Sequence, residues 1–179
     1  YRPKHKVVEV DASTNTLKFE FNDDFKAAVA NVVPNMRAGD IAVRTGLATA
    51  NNRWCEVDFL TFESKAQKNI HVLGDAIQIA PLMPKSGHMA NQHGKTCAAA
   101  VVSLLQGKEP PALPIYANTC YSFVTATDVV HVASVHKYDA AQKTMLTVPG
   151  SGGLSSAASE LEGQYAMAWA RNIWADSLA

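Results

Sequence analysis

The stretch from Asn69 to Pro110, NIHVLGDAIQIAPLMPKSGHMANQHGKTCAAAVVSLLQGKEP, constrains the fold more than any other part of the chain. It opens on the apolar run Ile70-His71-Val72-Leu73, halts at Gly74-Asp75, and crosses a loop into a long segment of helical character. Four apolar or aromatic positions in succession suit a buried parallel strand covered on both faces. From Gly87 to Gln106 the pattern predicts a helix with Ala90, Cys97, Ala98, Val101, Leu104 and Leu105 near one face. Gly107 and the Pro110-Pro111 pair stop it, because glycine accepts a left-handed terminal residue and proline cannot continue a helix. A strand, a loop and a helix in that order make α/β the expected fold class.

On the N-terminal side, KHKVVEVDASTNTLKFEF reads as a β-hairpin. Val8 and Val10 alternate with polar neighbours, Asp11 to Asn15 supply turn chemistry, and Leu17, Phe19 and Phe21 alternate again. Lys26 to Pro34 reads as a further short apolar strand closed by proline. From Asn35 to Lys68 the chain is mixed and loop-rich, with a short helical turn expected in RAGDIAVRTGLA. On the C-terminal side a β-rich meander follows: PIYANTCYSFV, then DVVHVASVHK, a turn at YDAAQ, and TMLTV. PGSGGLSS reads as a flexible or tightly turned loop. Ser159 to Ala179 is expected to be an amphipathic helix with Leu161, Tyr165, Trp169 and Ile173 at i+4 steps.

Composition narrows the function classes. Sixteen basic and sixteen acidic residues cancel, so nothing electrostatic points to nucleic acid or an anionic membrane as partner. No apolar run approaches the ~20 residues that a membrane-crossing helix needs. The start, YRPKHKVVEV, has no signal-peptide pattern and no initiating Met, which reads as a processed chain or a fragment. The three cysteines are far apart, no Cys-x-x-Cys occurs, and the six histidines miss metal-ligand spacings; no metal site is expected. An odd cysteine count leaves at least one thiol free or paired outside this chain.

Two places could carry chemistry. Gly74-Asp75 is a common turn former. The less common alternative is that it ends a strand so that backbone approaches a dinucleotide and the carboxylate meets a ribityl hydroxyl. The helix behind it could then aim its N-terminal N–H groups at an electron-rich ring. Cys120, in YANTCYSF, is either a buried structural thiol or a redox sulfur. Cys97 falls on the apolar helix face and reads as core, and packing is also the stronger reading for Cys55. Lys85 and Ser86 could cap the helix or touch a cofactor, with capping the simpler role. His88 and His93 read as solvated or capping, and His131 and His136 as ordinary strand residues. The tryptophans and tyrosines read as core or interface.

In order along the chain, NVVP, WCEVDFLTFES, NIHVLGDA, MPKSGHMANQHGK, YANTCYSF, VPGSGGLS and YAMAWARNIWAD resemble the C-terminal half of the flavoprotein subunit of flavocytochrome c sulfide dehydrogenase. That family lies within the pyridine nucleotide-disulfide oxidoreductase superfamily. GDA is shared across the superfamily, whereas the PKSG and NTCYS words and the tryptophan-bearing last helix are more specific. The resemblance implies a partial FAD/NAD(P)-binding, glutathione reductase-like fold followed by a C-terminal α+β interface domain with an antiparallel sheet. It divides the chain into residues 1–68, the tail of an NAD-binding-like domain; 69–108, a returning strand and helix of the FAD domain; and 109–179, a C-terminal domain of the sulfide dehydrogenase type.

The same resemblance implies FAD as cofactor, with Gly74 and Asp75, the loop residues Lys85, Ser86 and Gly87, and Trp169 as its contacts. Cys120 would be the catalytic half of a redox-active disulfide, and Thr119 and Tyr121 would line the site. The phosphate loop, the covalent flavin attachment and the second disulfide cysteine would belong to an N-terminal half absent from this sequence. The expected activity is oxidation of sulfide through disulfide and flavin, with electron transfer to a c-type cytochrome subunit in the periplasm. This fragment by itself would be inactive. A sulfide:quinone oxidoreductase-like flavoprotein and a non-catalytic interaction fragment are the alternatives. Glu160, Glu162, Arg171 and Asp176 on the last helix favour a protein partner over a bilayer.

Overall fold

The computed structural model describes residues 2–111 and 113–178. By its contacts the chain forms two compact units, Tyr1–Met36 and Arg37–Ala179.

The first unit is a small antiparallel sheet of β1 (Val7–Asp11), β2 (Thr16–Phe19) and β3 (Phe25–Lys26), in that spatial order. The expected hairpin forms because Asp11 organises its own turn. Its carboxylate accepts from the Ser13 N–H at 2.9 Å and the Ser13 and Thr14 hydroxyls at 2.6 and 2.8 Å. Those hydroxyls, Ser13 first, hold Asp11 down at about 2. Asn15 then takes the left-handed conformation (φ 53°) that a tight turn requires. The strand expected over Lys26 to Pro34 is cut to β3, whose only pairings are Thr16 with Lys26 and Leu17 with Phe25. Beyond Lys26 no ladder continues, and Val29 and Val33 stand 86% and 85% exposed.

The second unit begins with α1 (Asp40–Arg44), the helical turn expected in that region. The segment up to Ala80 is built of turns and single-residue bridges rather than strands. Here the structure corrects the reading of Ile70 to Asp75 as a buried strand. His71 alone is bridged, to Glu63, while Ile70 and Leu73 are 42% and 37% exposed. Left-handed residues bound the run at Asn69 (φ 63°) and Gly74 (φ 69°), so extended backbone cannot propagate past either end. Gly74–Ala76 is a single 3-10 turn, and the parallel contact comes just after it, between Ile77 and Cys55. The Gln78 side chain extends that contact: its amide oxygen accepts the Val57 N–H and its NH₂ donates to the Val57 carbonyl, both at 2.9 Å.

Helix α2 (Gly87–Leu105) forms where the sequence predicts it, capped by Ser86 and stopped at Gly107 (φ 67°). Its buried stripe is Met89, His93, Cys97 and Ala100; Ala98, Leu104 and Leu105, expected on the apolar face, are exposed. The buried spacing of four residues is helical, but the packing partners select a face rotated from the most apolar one.

The C-terminal sheet is antiparallel: β4 (Ile115–Phe123) pairs along its whole length with β5 (Val129–Asp139). The far edge of β5 is shared by β6 (Thr144–Thr147) and β7 (Gly153–Leu154). The glycine-rich stretch expected to be loop therefore contributes a strand. Ser151 and Ser155 pin it by accepting the Val135 and His131 N–H groups at 3.0 and 2.7 Å.

Helix α3 (Glu160–Leu178) closes the sheet; Ala179, the last residue of the predicted helix, lies outside the described residues. Its buried positions are Gly163 and Ala166, whereas Leu161 and Tyr165 are each 54% exposed. Small residues set this face because the helix lies so close that a Cβ on Gly163 would collide with the Thr127 carbonyl oxygen. One core joins the loop-rich segment, α2 and the sheet through Val57, Phe59, Phe62, Ile77, Met89, Tyr116 and Met145. No helix of the described residues is long and apolar enough to cross a membrane.

Candidate active site at the start of helix α2

Side chains of α2 complete the free edge of β4. Gln92 accepts the Ala117 N–H at 2.9 Å and donates to the Ala117 carbonyl at 2.6 Å. One turn earlier, His88 Nδ1 accepts the Thr119 N–H at 3.2 Å, which fixes that ring nitrogen as unprotonated. Burial, aided by Lys95, holds the His88 imidazole below its ordinary range and so favours this neutral form. The histidine expected to be solvated or capping is instead an edge partner for the strand carrying Cys120.

The contact that assembles the site is made by a residue the sequence reading did not single out. Asn118 is 3% exposed and shares a face of β4 with Cys120, two positions on. Its NH₂ group donates to Cys120 Sγ at 3.2 Å, and its carbonyl oxygen accepts the Ser86 hydroxyl at 2.7 Å. Ser86 Oγ in turn accepts the Met89 N–H at 3.2 Å as the cap of α2. An unbroken chain of hydrogen bonds thus runs from the first turn of α2 to the sulfur. An asparagine two residues before a cysteine in a strand was the available signal, since such residues face the same way.

The other predicted residues sort into two groups. Gly74 is buried against α2, and a Cβ there would stand 3.3 Å from that of Ala90, so close packing and positive φ both require glycine. Asp75 is exposed beside it. Lys85 Nζ donates to the Asp75 and Ile77 carbonyls at 2.9 and 2.6 Å and stands 3.9 Å over the Trp54 ring. Burial lowers its proton affinity, opposed by Asp75 and reinforced by Arg53. Lys85 therefore ties the loop before α2 to the Gly74 turn. Trp169 comes from the α3 side: its ring centroid lies 6.1 Å from Tyr121 and 5.5 Å from His88, in the first turn of α2. Tyr121 and Cys120 alternate across β4, so Trp169 packs on the opposite sheet face from the sulfur.

The three cysteines are unpaired with one another. Cys55 and Cys97 are buried, and burial pushes both thiols up, which makes them poor nucleophiles. Cys120 is half-buried.

A second polar cluster, also unforeseen, lies on the α3 side. Ser155 Oγ donates to Glu162 Oε2 at 2.6 Å, and His131 Nδ1 stands 3.0 Å from that oxygen and 2.9 Å from Ser155 Oγ. Ser155 and His131, in that order, hold the Glu162 carboxyl below its usual range. Serine and acid meet the same imidazole nitrogen, so there is no relay of the kind that activates a hydrolase serine, which needs one partner on each nitrogen. The cluster fastens α3 to β5 and β7.

A half-buried cysteine, registered by a buried amide to a capped helix start and a glycine-aspartate turn, is an arrangement suited to sulfur chemistry beside a bound cofactor. Residues 112–178 match the family model described as "Flavocytochrome c sulphide dehydrogenase, flavin-binding". The C-terminal part of this chain is thus similar to the flavin-binding domain of a flavoprotein oxidoreductase, and FAD is the cofactor consistent with it.

Proposed function

We propose that this chain is the C-terminal part of an FAD-dependent enzyme that oxidises sulfide through a disulfide containing Cys120 and passes the electrons to a c-type cytochrome. The observation that carries the proposal is the hydrogen-bonded chain from the α2 cap through Asn118 to Cys120, in a strand within the matched segment.

The residues fit a flavin. The first-turn N–H groups of Gly87 and His88 have no carbonyl inside the helix to bond, and they lie at its positive end. Gly74 lets the turn pack closely on α2, and the exposed Asp75 carboxylate beside it can accept from a ribityl hydroxyl. When bound, a flavin supplies a two-electron acceptor that can release electrons singly. The chain's own share is threefold. Asp75 orients, the N-terminal turn of α2 stabilises developing negative charge, and Cys120 exchanges sulfur bonds with sulfide. In this reading Lys85, Ser86, Gly87 and Trp169 are further flavin contacts, Lys85 also tying the loop before α2 to the Gly74 turn.

Residues 1–68, 69–108 and 109–179 are assigned in the same reading to the NAD-like tail, the FAD-domain return and the C-terminal domain. A periplasmic location and a separate N-terminal portion belong to it as well. A protein acceptor is supported by one side of α3, where Met167 and Trp174 are exposed on the same face as Glu160 and Arg171.

The test is Cys120→Ser in the complete flavoprotein, with sulfide-dependent bleaching of the flavin followed by rapid mixing. The proposal requires the bleaching to be lost while flavin content is kept. Rates within a few-fold of the unsubstituted protein would exclude Cys120 as the reacting sulfur.

A further inference from the structure

We infer that Asn118 is a positioning residue for Cys120: its buried amide fixes Sγ relative to the start of α2. The inference rests on the reading of Cys120 as the reacting sulfur, and it adds a role for a residue outside that reading. Three observations support it. The Asn118 side chain is 3% exposed, so its polar groups must find partners inside the protein. Both ends do, and the ends differ in kind. The oxygen takes the Ser86 hydroxyl at 2.7 Å, leaving the NH₂ as the group directed at sulfur, 3.2 Å away. Ser86 is itself held by the Met89 N–H, so the amide oxygen is anchored to the first turn of α2.

Reaction at a sulfur depends on where the sulfur is held, and a misplacement of ~1 Å can cost about 10²-fold in rate. Packing alone explains less. An apolar residue of the same shape could fill the space, yet it would neither donate to sulfur nor accept from the cap.

The test starts from the full 179-residue chain. Peptide mass spectrometry of this chain first confirms that Asn118→Ala is folded with Cys55 and Cys97 still protected from iodoacetamide. In the complete flavoprotein the same substitution should lower the rate of sulfide-dependent flavin bleaching at saturating sulfide about tenfold or more, with flavin content and the half-saturating sulfide concentration unchanged. If Asn118→Ala does not fold, Asn118→Gln, which keeps the amide but displaces it by one methylene, carries the same expectation. An unchanged bleaching rate in a folded, flavin-loaded variant of either kind overturns the inference. That result is distinct from failure of the sulfide reading, which would show as sulfide-dependent flavin reduction surviving Cys120→Ser.

Discussion

Ile70–Leu73 and Ile115–Phe123 both read as strands in the sequence, yet only the second is one. The difference lies in what each finds beside it. Ile115–Phe123 meets β5 after a short connection and pairs at every residue, from Ile115 with Lys137 to Phe123 with Val129. Its other edge is completed by Gln92 and His88. Ile70–Leu73 meets one bridging residue, Glu63, and is closed off by positive φ at Asn69 and Gly74. An apolar run states a preference for burial, and a neighbouring backbone decides whether that preference becomes a strand.

The sharpest way to break this comparison is to truncate one side chain from each region. Met145 is fully buried where β6 meets the core, so Met145→Ala should cost about 3 kcal/mol in chemical denaturation. Ile70 is 42% exposed, and Ile70→Ala should stay within about 0.5 kcal/mol. Equal losses would mean that Ile70–Leu73 is as firmly packed as the sheet.

Acid sharpens it further, through a residue shared by both regions. His93 is 2% exposed between the rings of Phe62, from the loop-rich segment, and Tyr116, from β4, at 4.8 and 5.0 Å. Neither ring nitrogen has a hydrogen-bond partner. Burial, aided by Lys85, pushes the imidazole down from 6.5 to about 4. The unfolded chain therefore binds the proton first, and stability present above about 6.5 is lost as pH falls towards about 4. The loss should amount to ~3 kcal/mol. His88 and His136, also held low by burial, act in the same direction. His93→Leu should flatten the largest part of the dependence, and an unchanged slope would refute its assignment to His93.

A smaller effect probes the link between α2 and the sheet. Ser86→Ala removes the helix cap and a partner of Asn118, and should lower stability by about 1 kcal/mol in thermal unfolding. No change would mean that the cap carries no strain from the sheet.

The parts legible in the sequence were those that depend on near neighbours. The Asp11 turn, the Ser86 cap with Gly107 as stop, the β4–β5 pairing and the closing helix all follow from local chemistry. Faces were harder. Leu161 and Tyr165 were the obvious apolar choices on α3, but Gly163 permits an approach that larger residues forbid. Asn118 and Gln92 were hidden for a different reason. A buried amide serving backbone or sulfur is written like any surface polar residue, and only the fold shows what it reaches. Cys120 was singled out through the motif around it, while its connection to Ser86 could not be read from the sequence.

The central claim is that Cys120 is the redox sulfur of this chain, and disulfide mapping of the complete, oxidised flavoprotein tests it most directly. Unreduced protein is denatured, free thiols are alkylated, and the peptides are identified by mass. The account predicts that Cys55 and Cys97 carry the alkyl label while Cys120 is recovered joined to a cysteine outside these 179 residues. Recovery of Cys120 as a free, labelled thiol, with the disulfide elsewhere or absent, would contradict it.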